Sequence, residues 1–184
     1  MNKVLIGIVA VIVIIATMAI GGYNSLVTMN ENVTGKWSQV ENQLQRRNDL
    51  IPNLVSTVQG MASQEKAVIK EVTDARAKMG GATSPKALAN ANNELTSALS
   101  RLLVVVENYP NIKSDASFRQ LSDELAGTEN RIAVARKDYN ESVQLFNTKI
   151  KTFPAVIFAG MLNFDQKEYF KADESAKEVP KVKF

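Results

Sequence analysis

Histidine and cysteine are both absent from this chain of 184 residues. Without histidine, Ser-His-Asp triads and acid–base catalysis by imidazole are excluded, and zinc and di-iron sites lose their most common ligand. Without cysteine, disulfides, thiolate nucleophiles, sulfur-bound metals and the acylated cysteine of a lipoprotein are excluded. The sequence therefore predicts no catalytic residue, no metal ligand and no cofactor.

The chain also has little excess of one charge. Lysine and arginine number 22 and the acidic residues 19, so the net charge is only +3 although the pI is about 9.1. The positive residues form no basic run, and nucleic acid is therefore not expected as a partner. The hydrophobic content of 45% is enough for the core of one folded domain with an appendage.

A long uncharged run is present near the N-terminus. It extends from Val4 to Gly22, "VLIGIVAVIVIIATMAIGG", and as a helix of about 1.5 Å per residue it spans about 28 Å, close to the hydrocarbon thickness of a bilayer. The alternative is a cleaved signal peptide, but the run exceeds a usual signal core and the helical pattern resumes at Tyr23. We predict a membrane anchor at 1–23 that contacts the lipid bilayer through residues 4–22.

The orientation of this anchor depends on few charges. Lys3 precedes the apolar run, and the first basic residue after it is Lys36. The positive-inside rule then favours a single-pass membrane protein, with its N-terminus in the cytoplasm and its folded part outside. The alternative places the folded part on the cytoplasmic side.

Beyond residue 23 the apolar residues recur every three or four positions, which is typical of helices, and no segment alternates like a strand. "GGATSP" at 80–85 indicates a helix end at Gly80 and a new start, with Ser84 as N-cap and Pro85 in the first turn. A third long helix is predicted from an N-cap at Ser114. The fold class is therefore all-α: an N-terminal transmembrane helix followed by an antiparallel up-and-down bundle of four long helical segments.

Pro52 decides how these segments are divided. A reversal between Asn48 and Pro52 is favoured, because it produces segments of matched length and lets Asp49 cap the helix that Pro52 begins; a mere kink at Pro52 is the alternative. The four predicted segments within the bundle domain at 24–170 are 24–49, 52–79, 85–108 and 114–151.

Several long motifs resemble the LemA family of bacterial membrane-anchored proteins. They are "YNSLV" at 23–27, Trp37, "QLQRRNDLIPNLV" at 43–55, "RLLVVVENYPNIK" at 101–113, "ENRIAVARKDYNESVQLFN" at 129–147 and "FP" at 153–154. The resemblance extends to about Phe170 and implies one N-terminal membrane helix, a helical bundle and a bacterial source, but no reaction. Residues 171–184, "KADESAKEVPKVKF", fall outside it and are predicted to be a disordered polar tail.

Two groups of charged residues interrupt the apolar seams. The first is a structural polar cluster at one bundle end, in which Arg47 is expected to pair with Glu107 or Asp115 because a buried guanidinium needs a carboxylate. Its members are Arg46, Arg47, Asp49, Glu107 and Asp115. The alternatives are exposure of these charges to solvent at the bundle end and a polar pocket or partner surface.

The second group is a polar seam formed by Lys70, Glu94 and Glu129. A salt bridge between Glu129 and Lys70 is the simplest interpretation. The alternative is a site for a hard cation held by Glu94, Glu129 and another carboxylate, although the Glu-x-x-His repeat of such bundles is missing.

The segment "TFPAVIFAGMLN" at 152–163 is uncharged but too short to cross a bilayer. We expect Val156, Ile157, Phe158 and Met161 to cover an open end of the bundle; the alternative is a shallow contact with the membrane that holds the anchor.

Together these features favour a membrane-tethered, non-catalytic helical scaffold or interaction module of the bacterial cell envelope, whose partner is another envelope or membrane protein. The alternative is a carboxylate-based metal-dependent enzyme or a metal-binding helical bundle.

Overall fold

The computed structural model describes residues 3–62 and 64–171. Within these ranges the chain forms helices and no strand, which confirms the all-α class and the long apolar N-terminal helix. The predicted disordered tail lies, apart from Lys171, outside the described residues. The helices are α1 (Lys3–Met61), α2 (Lys66–Gly81), α3 (Pro85–Val106), α4 (Pro110–Ser114), α5 (Ala116–Lys149) and α6 (Ala155–Met161).

Helix α1 passes through Pro52 without a break, so the predicted reversal at this residue is wrong. Proline has no N–H to donate to the carbonyl four residues earlier, which is that of Asn48. The Arg76 side chain replaces this donor, because its Nε donates to the Asn48 carbonyl oxygen at 3.2 Å. Asp49 therefore caps no helix; its carboxylate accepts a hydrogen bond from Gln45 Nε2 within α1 at 2.8 Å.

The boundaries after residue 80 follow local capping chemistry. Ser84 is the N-cap of α3, as predicted, and its Oγ accepts from the Ala87 N–H at 3.2 Å, with Pro85 in the first turn. The N-cap before α5 is Asp115 rather than Ser114, since the Asp115 carboxylate accepts from the Phe118 N–H at 2.9 Å. The prediction was one residue early because serine and aspartate are both good caps.

The chain divides into two compact units, and the first consists of residues 3–38 and 138–168. The ring of Trp37 lies 5.1 Å from that of Tyr139, and Lys36 pairs with Asp138 at 2.9 Å. The side chain of Asn147 holds the backbone of Lys167 through two hydrogen bonds of 2.8 and 2.9 Å. The first two contacts join α1 to α5, and the two hydrogen bonds of Asn147 hold the segment after α6 against α5.

Tyr139 also fastens this segment, because its hydroxyl donates to the Glu168 carbonyl oxygen at 2.7 Å. Burial, with a smaller contribution from the charge of Glu168, raises the pKa of the Tyr139 hydroxyl to about 12.

The second unit consists of residues 39–137 and 169–171, with Ser63 outside the description. Here α2 and α3 pack against each other. The predicted three- and four-residue spacing places aliphatic side chains in the core, and the fully buried ones include Val40, Ile51, Leu54, Val58, Val72, Leu95, Leu102 and Ile132. The Arg136 guanidinium lies over the buried ring of Phe170, 5.1 Å from its centroid.

Candidate functional site

The most buried charge of the second unit belongs to Arg47, which is only 4% exposed. It occupies a core-facing position of α1, between the buried residues Leu44 and Ile51. Its Nη1 donates to Asn92 Oδ1 of α3 at 2.8 Å and to the carboxylate of Glu129 on α5. One guanidinium thus links three helices in a charge-assisted network.

Burial and ion pairing change the pKa of the Arg47 guanidinium in opposite directions. Desolvation lowers the pKa of the Arg47 guanidinium, and the charge and hydrogen bond of Glu129 partly offset this effect. The guanidinium remains charged, because the pKa of arginine starts far above neutral pH. The Glu129 side chain is 41% exposed, so the pair is buried on the arginine side and solvated on the carboxylate side.

Neither predicted partner of Arg47, Glu107 or Asp115, pairs with it, so the prediction of its partner is wrong. Glu107 pairs with Lys113 at 2.5 Å, and Asp115 caps α5. The error follows from the assumed levels of the helices: α1 continues past Pro52 to Met61 and α2 begins at Lys66, whereas the prediction had no break within 52–79. Arg47 consequently meets the middle of α3 at Asn92 rather than its end.

Arg46 is exposed and lines an open groove, separate from the Arg47 network. The groove has a volume of about 670 Å³, and Arg119 and Arg131 lie along it together with Asp123 and Glu124. Side chains of both signs line it, which is typical of a solvated helical surface. The five residues of the predicted polar cluster therefore do not form one site.

The second predicted seam is likewise divided. Lys70 pairs with Asp74 within α2 at 2.5 Å, and Glu94 pairs with Lys78 at 2.6 Å, while Glu129 binds Arg47. The predicted bridge from Glu129 to Lys70 is wrong. Over residues 3–62 and 64–171, no three acidic side chains gather in a group that could hold a metal ion.

The fully buried side chains of α6 are small. Ala155 and Ala159 are buried, and the ring of Phe158 packs against Gly22 of α1 so closely that a Cβ there would lie 3.4 Å from it. Val156, Ile157 and Met161 are exposed instead of covering a core, contrary to the expectation for this segment. The reason is the spacing of Ala155 and Ala159, which occupy the inward positions of the helix.

The N-terminal part of α1 is long and apolar enough to cross a membrane. Its most apolar window of 18 residues has a mean hydropathy of 3.0, and none of that window is buried against protein. The model of the LemA family matches residues 36–184. The chain belongs to the LemA family. Family membership and the apolar helix together support a membrane location.

Among curated proteins, this LemA-family chain is similar to the magnetosome protein MamQ 2 of Paramagnetospirillum magneticum. The two are 30% identical over 192 aligned residues, and the alignment covers 90% of this chain and 70% of that protein. Magnetosome protein MamQ of Magnetospirillum gryphiswaldense is 28% identical, with the same shares covered. Protein LemA of Metamycoplasma hominis is 24% identical over 84% of this chain and 71% of its own length.

Sequence reasoning on this LemA-family chain missed three polar residues that hold the fold. Asn92 is 1% exposed, and its signal was visible, because it is a polar residue at a core position of the α3 pattern. Asn147 had a similar signal, one position after the core residue Phe146. Arg76 gave none, since nothing local indicates that it serves a carbonyl 28 residues away.

Proposed function

We propose that this LemA-family protein is a membrane-tethered, non-catalytic helical scaffold or interaction module of the bacterial cell envelope. One observation carries the proposal. Helix α1 begins with an apolar window that contacts no protein core, and from Val40 to Val58 the same helix buries a side chain at every turn. Tether and folded part are therefore continuous in one helix, an arrangement suited to holding a protein surface beside a membrane.

The buried polar side chains hold the fold together, which supports a non-catalytic function. Arg47, Asn92 and Asn147 serve as internal ties between helices or between a helix and a backbone segment. The sequence supplies neither histidine nor cysteine for proton transfer or nucleophilic attack. The names of the relatives, LemA and magnetosome protein MamQ, state no reaction.

A partner protein would find apolar side chains on the exposed face of α3. Val104 is 70% exposed, and its neighbour Leu103 is also exposed. A photoreactive residue at Val104, activated in intact membranes, is expected to yield a discrete adduct with an envelope protein. Lys86, about 27 Å away along α3, is the matched control and should yield none. Absence of a discrete adduct at Val104 would contradict the proposed contact.

The alternative of a metal-dependent enzyme has its own test. Metal analysis of the full chain purified in detergent is expected to find no stoichiometric metal. Stoichiometric metal that is lost in Glu94→Gln and Glu129→Gln would instead favour the metal-binding function.

We place the folded part outside the cytoplasm, because Lys3 precedes the apolar run while the next basic residue is Lys36. The absence of native cysteine makes this orientation simple to test. A single Ser97→Cys substitution on the exposed side of α3 should react with a membrane-impermeant maleimide in intact spheroplasts. Labelling that requires permeabilised cells would place the folded part in the cytoplasm.

A further inference from the structure

Large apolar side chains are exposed together on α6 and the turn before it. Phe153, Ile157 and Met161 are 79%, 51% and 76% exposed. Ile157 and Met161 are four residues apart on α6 and so lie on the same face, with Phe153 in the preceding turn. An uncharged, exposed apolar face of this kind marks an interaction surface.

The packing of α6 on α1 shows where this surface lies in the first unit. Phe158 packs against Gly22, the last residue of the uncharged run of α1. The ring of Phe164 lies 6.4 Å from that of Tyr23, the next residue along α1. Tyrosine is enriched where a membrane helix leaves the hydrocarbon layer. Helix α6 is therefore attached to α1 at the level where the apolar run ends.

The charges around α6 match the same location. From residue 142 to 164 the only charged residues are Lys149 and Lys151, both basic. Lysines beside an apolar face bind the phosphates of anionic headgroups, while the apolar side chains enter the acyl region beneath. A helix of seven residues is about 11 Å long, far too short to cross the bilayer, but sufficient to lie at its surface.

We propose that α6 is a second membrane contact, in which Phe153, Ile157 and Met161 enter the headgroup–acyl boundary of the bilayer that α1 crosses. The occupant of this face is lipid rather than a protein, because the face is continuous with the exit point of the anchor and the nearest charged residues before it in the chain, Lys149 and Lys151, are basic. This inference rests on the membrane tether of the proposed function, and it does not depend on the scaffold role.

Fluorescence quenching in vesicles tests the inference with the full chain. Single Ile157→Cys, Ile12→Cys and Ser97→Cys variants, each carrying an environment-sensitive dye, are reconstituted into vesicles of phosphatidylcholine and phosphatidylglycerol. All three side chains are exposed, so the substitutions should leave the fold intact. The vesicles contain lipids with a nitroxide either near the headgroup or in the middle of the acyl chain.

The Ile157 dye is expected to emit at shorter wavelength than the Ser97 dye and to be quenched most by the shallow nitroxide. The Ile12 dye, within the anchor, should be quenched most by the deep one. Water-like, unquenched emission at Ile157 with normal quenching at Ile12 would overturn the surface contact alone. Loss of quenching at Ile12 as well would overturn the tether. A blue shift at Ile157 that disappears on dilution to one chain per vesicle would show a second copy on this face and would also overturn the proposal.

Discussion

Replacement of Arg47 by methionine separates its charge from its packing volume. The substitution leaves the Oδ1 of Asn92 without its donor at a site that is 1% exposed, and an unsatisfied buried acceptor costs about 1–3 kcal/mol. Glu129 is 41% exposed and can regain water, so the loss should stay below the about 3–5 kcal/mol of breaking a fully buried pair. The described part of the chain also gives Arg47 Nε no acceptor, and removal of this desolvated group offsets some of the cost.

We therefore expect Arg47→Met to lower the free energy of unfolding by about 1–3 kcal/mol. The measurement is urea denaturation of the full chain in detergent micelles, followed by far-ultraviolet circular dichroism. Arg46→Met is the matched control, because Arg46 is the adjacent residue and is exposed. Its effect should stay within about 0.5 kcal/mol.

A double variant tests the physical reason. In Arg47→Met with Asn92→Leu both buried polar partners are gone, so the loss should be smaller than in Arg47→Met alone. The reasoning is refuted if Arg47→Met behaves like Arg46→Met. It is also refuted if the double variant loses as much as the two single variants combined.

Two further predictions concern Tyr139 and Ser84. Because the pKa of the Tyr139 hydroxyl is raised to about 12, the folded state keeps this proton at a pH where the unfolded state loses it, so the free energy of unfolding should fall as pH rises from about 10 to about 12. The urea midpoint of Tyr139→Phe should fall less over that range than the midpoint of the unmodified protein. Equal falls of the two midpoints would contradict the raised pKa. Ser84→Ala removes the N-cap of α3 and should lower the free energy of unfolding, measured by urea denaturation, by about 1 kcal/mol. Ser97→Ala in the same helix should change it little, and equal effects of the two substitutions would show that the cap contributes nothing.

Features that depend on neighbouring residues were predicted correctly from the sequence, whereas features that depend on contacts between distant residues were not. The helical pattern and the cap at Ser84 are local, so their chemistry can be read from a few adjacent letters. The continuity of α1 through Pro52 depends on Arg76, whose role only the folded chain reveals. The same holds for Arg47, because its carboxylate partner is 82 residues away in the chain. A correct expectation of buried pairing thus named the wrong partners.

Helix α6 shows a different limit of sequence reasoning. Its composition indicated that the segment needs an apolar neighbour, but hydrophobicity alone does not state whether that neighbour is protein or lipid. The inward positions of Ala155 and Ala159, and the contact of Phe158 with Gly22, are set by the way α6 packs on α1.

The hydrogen bond from Arg76 to the Asn48 carbonyl makes the evolutionary histories of positions 52 and 76 interdependent. If Arg76 changes while Pro52 remains, a partly buried carbonyl loses its donor and the protein is weakened. If Pro52 is first replaced by a residue with an N–H, the helix supplies its own donor and Arg76 becomes free to vary. Substitution is therefore permissive in one order and costly in the other, a directional epistasis between two residues on different helices.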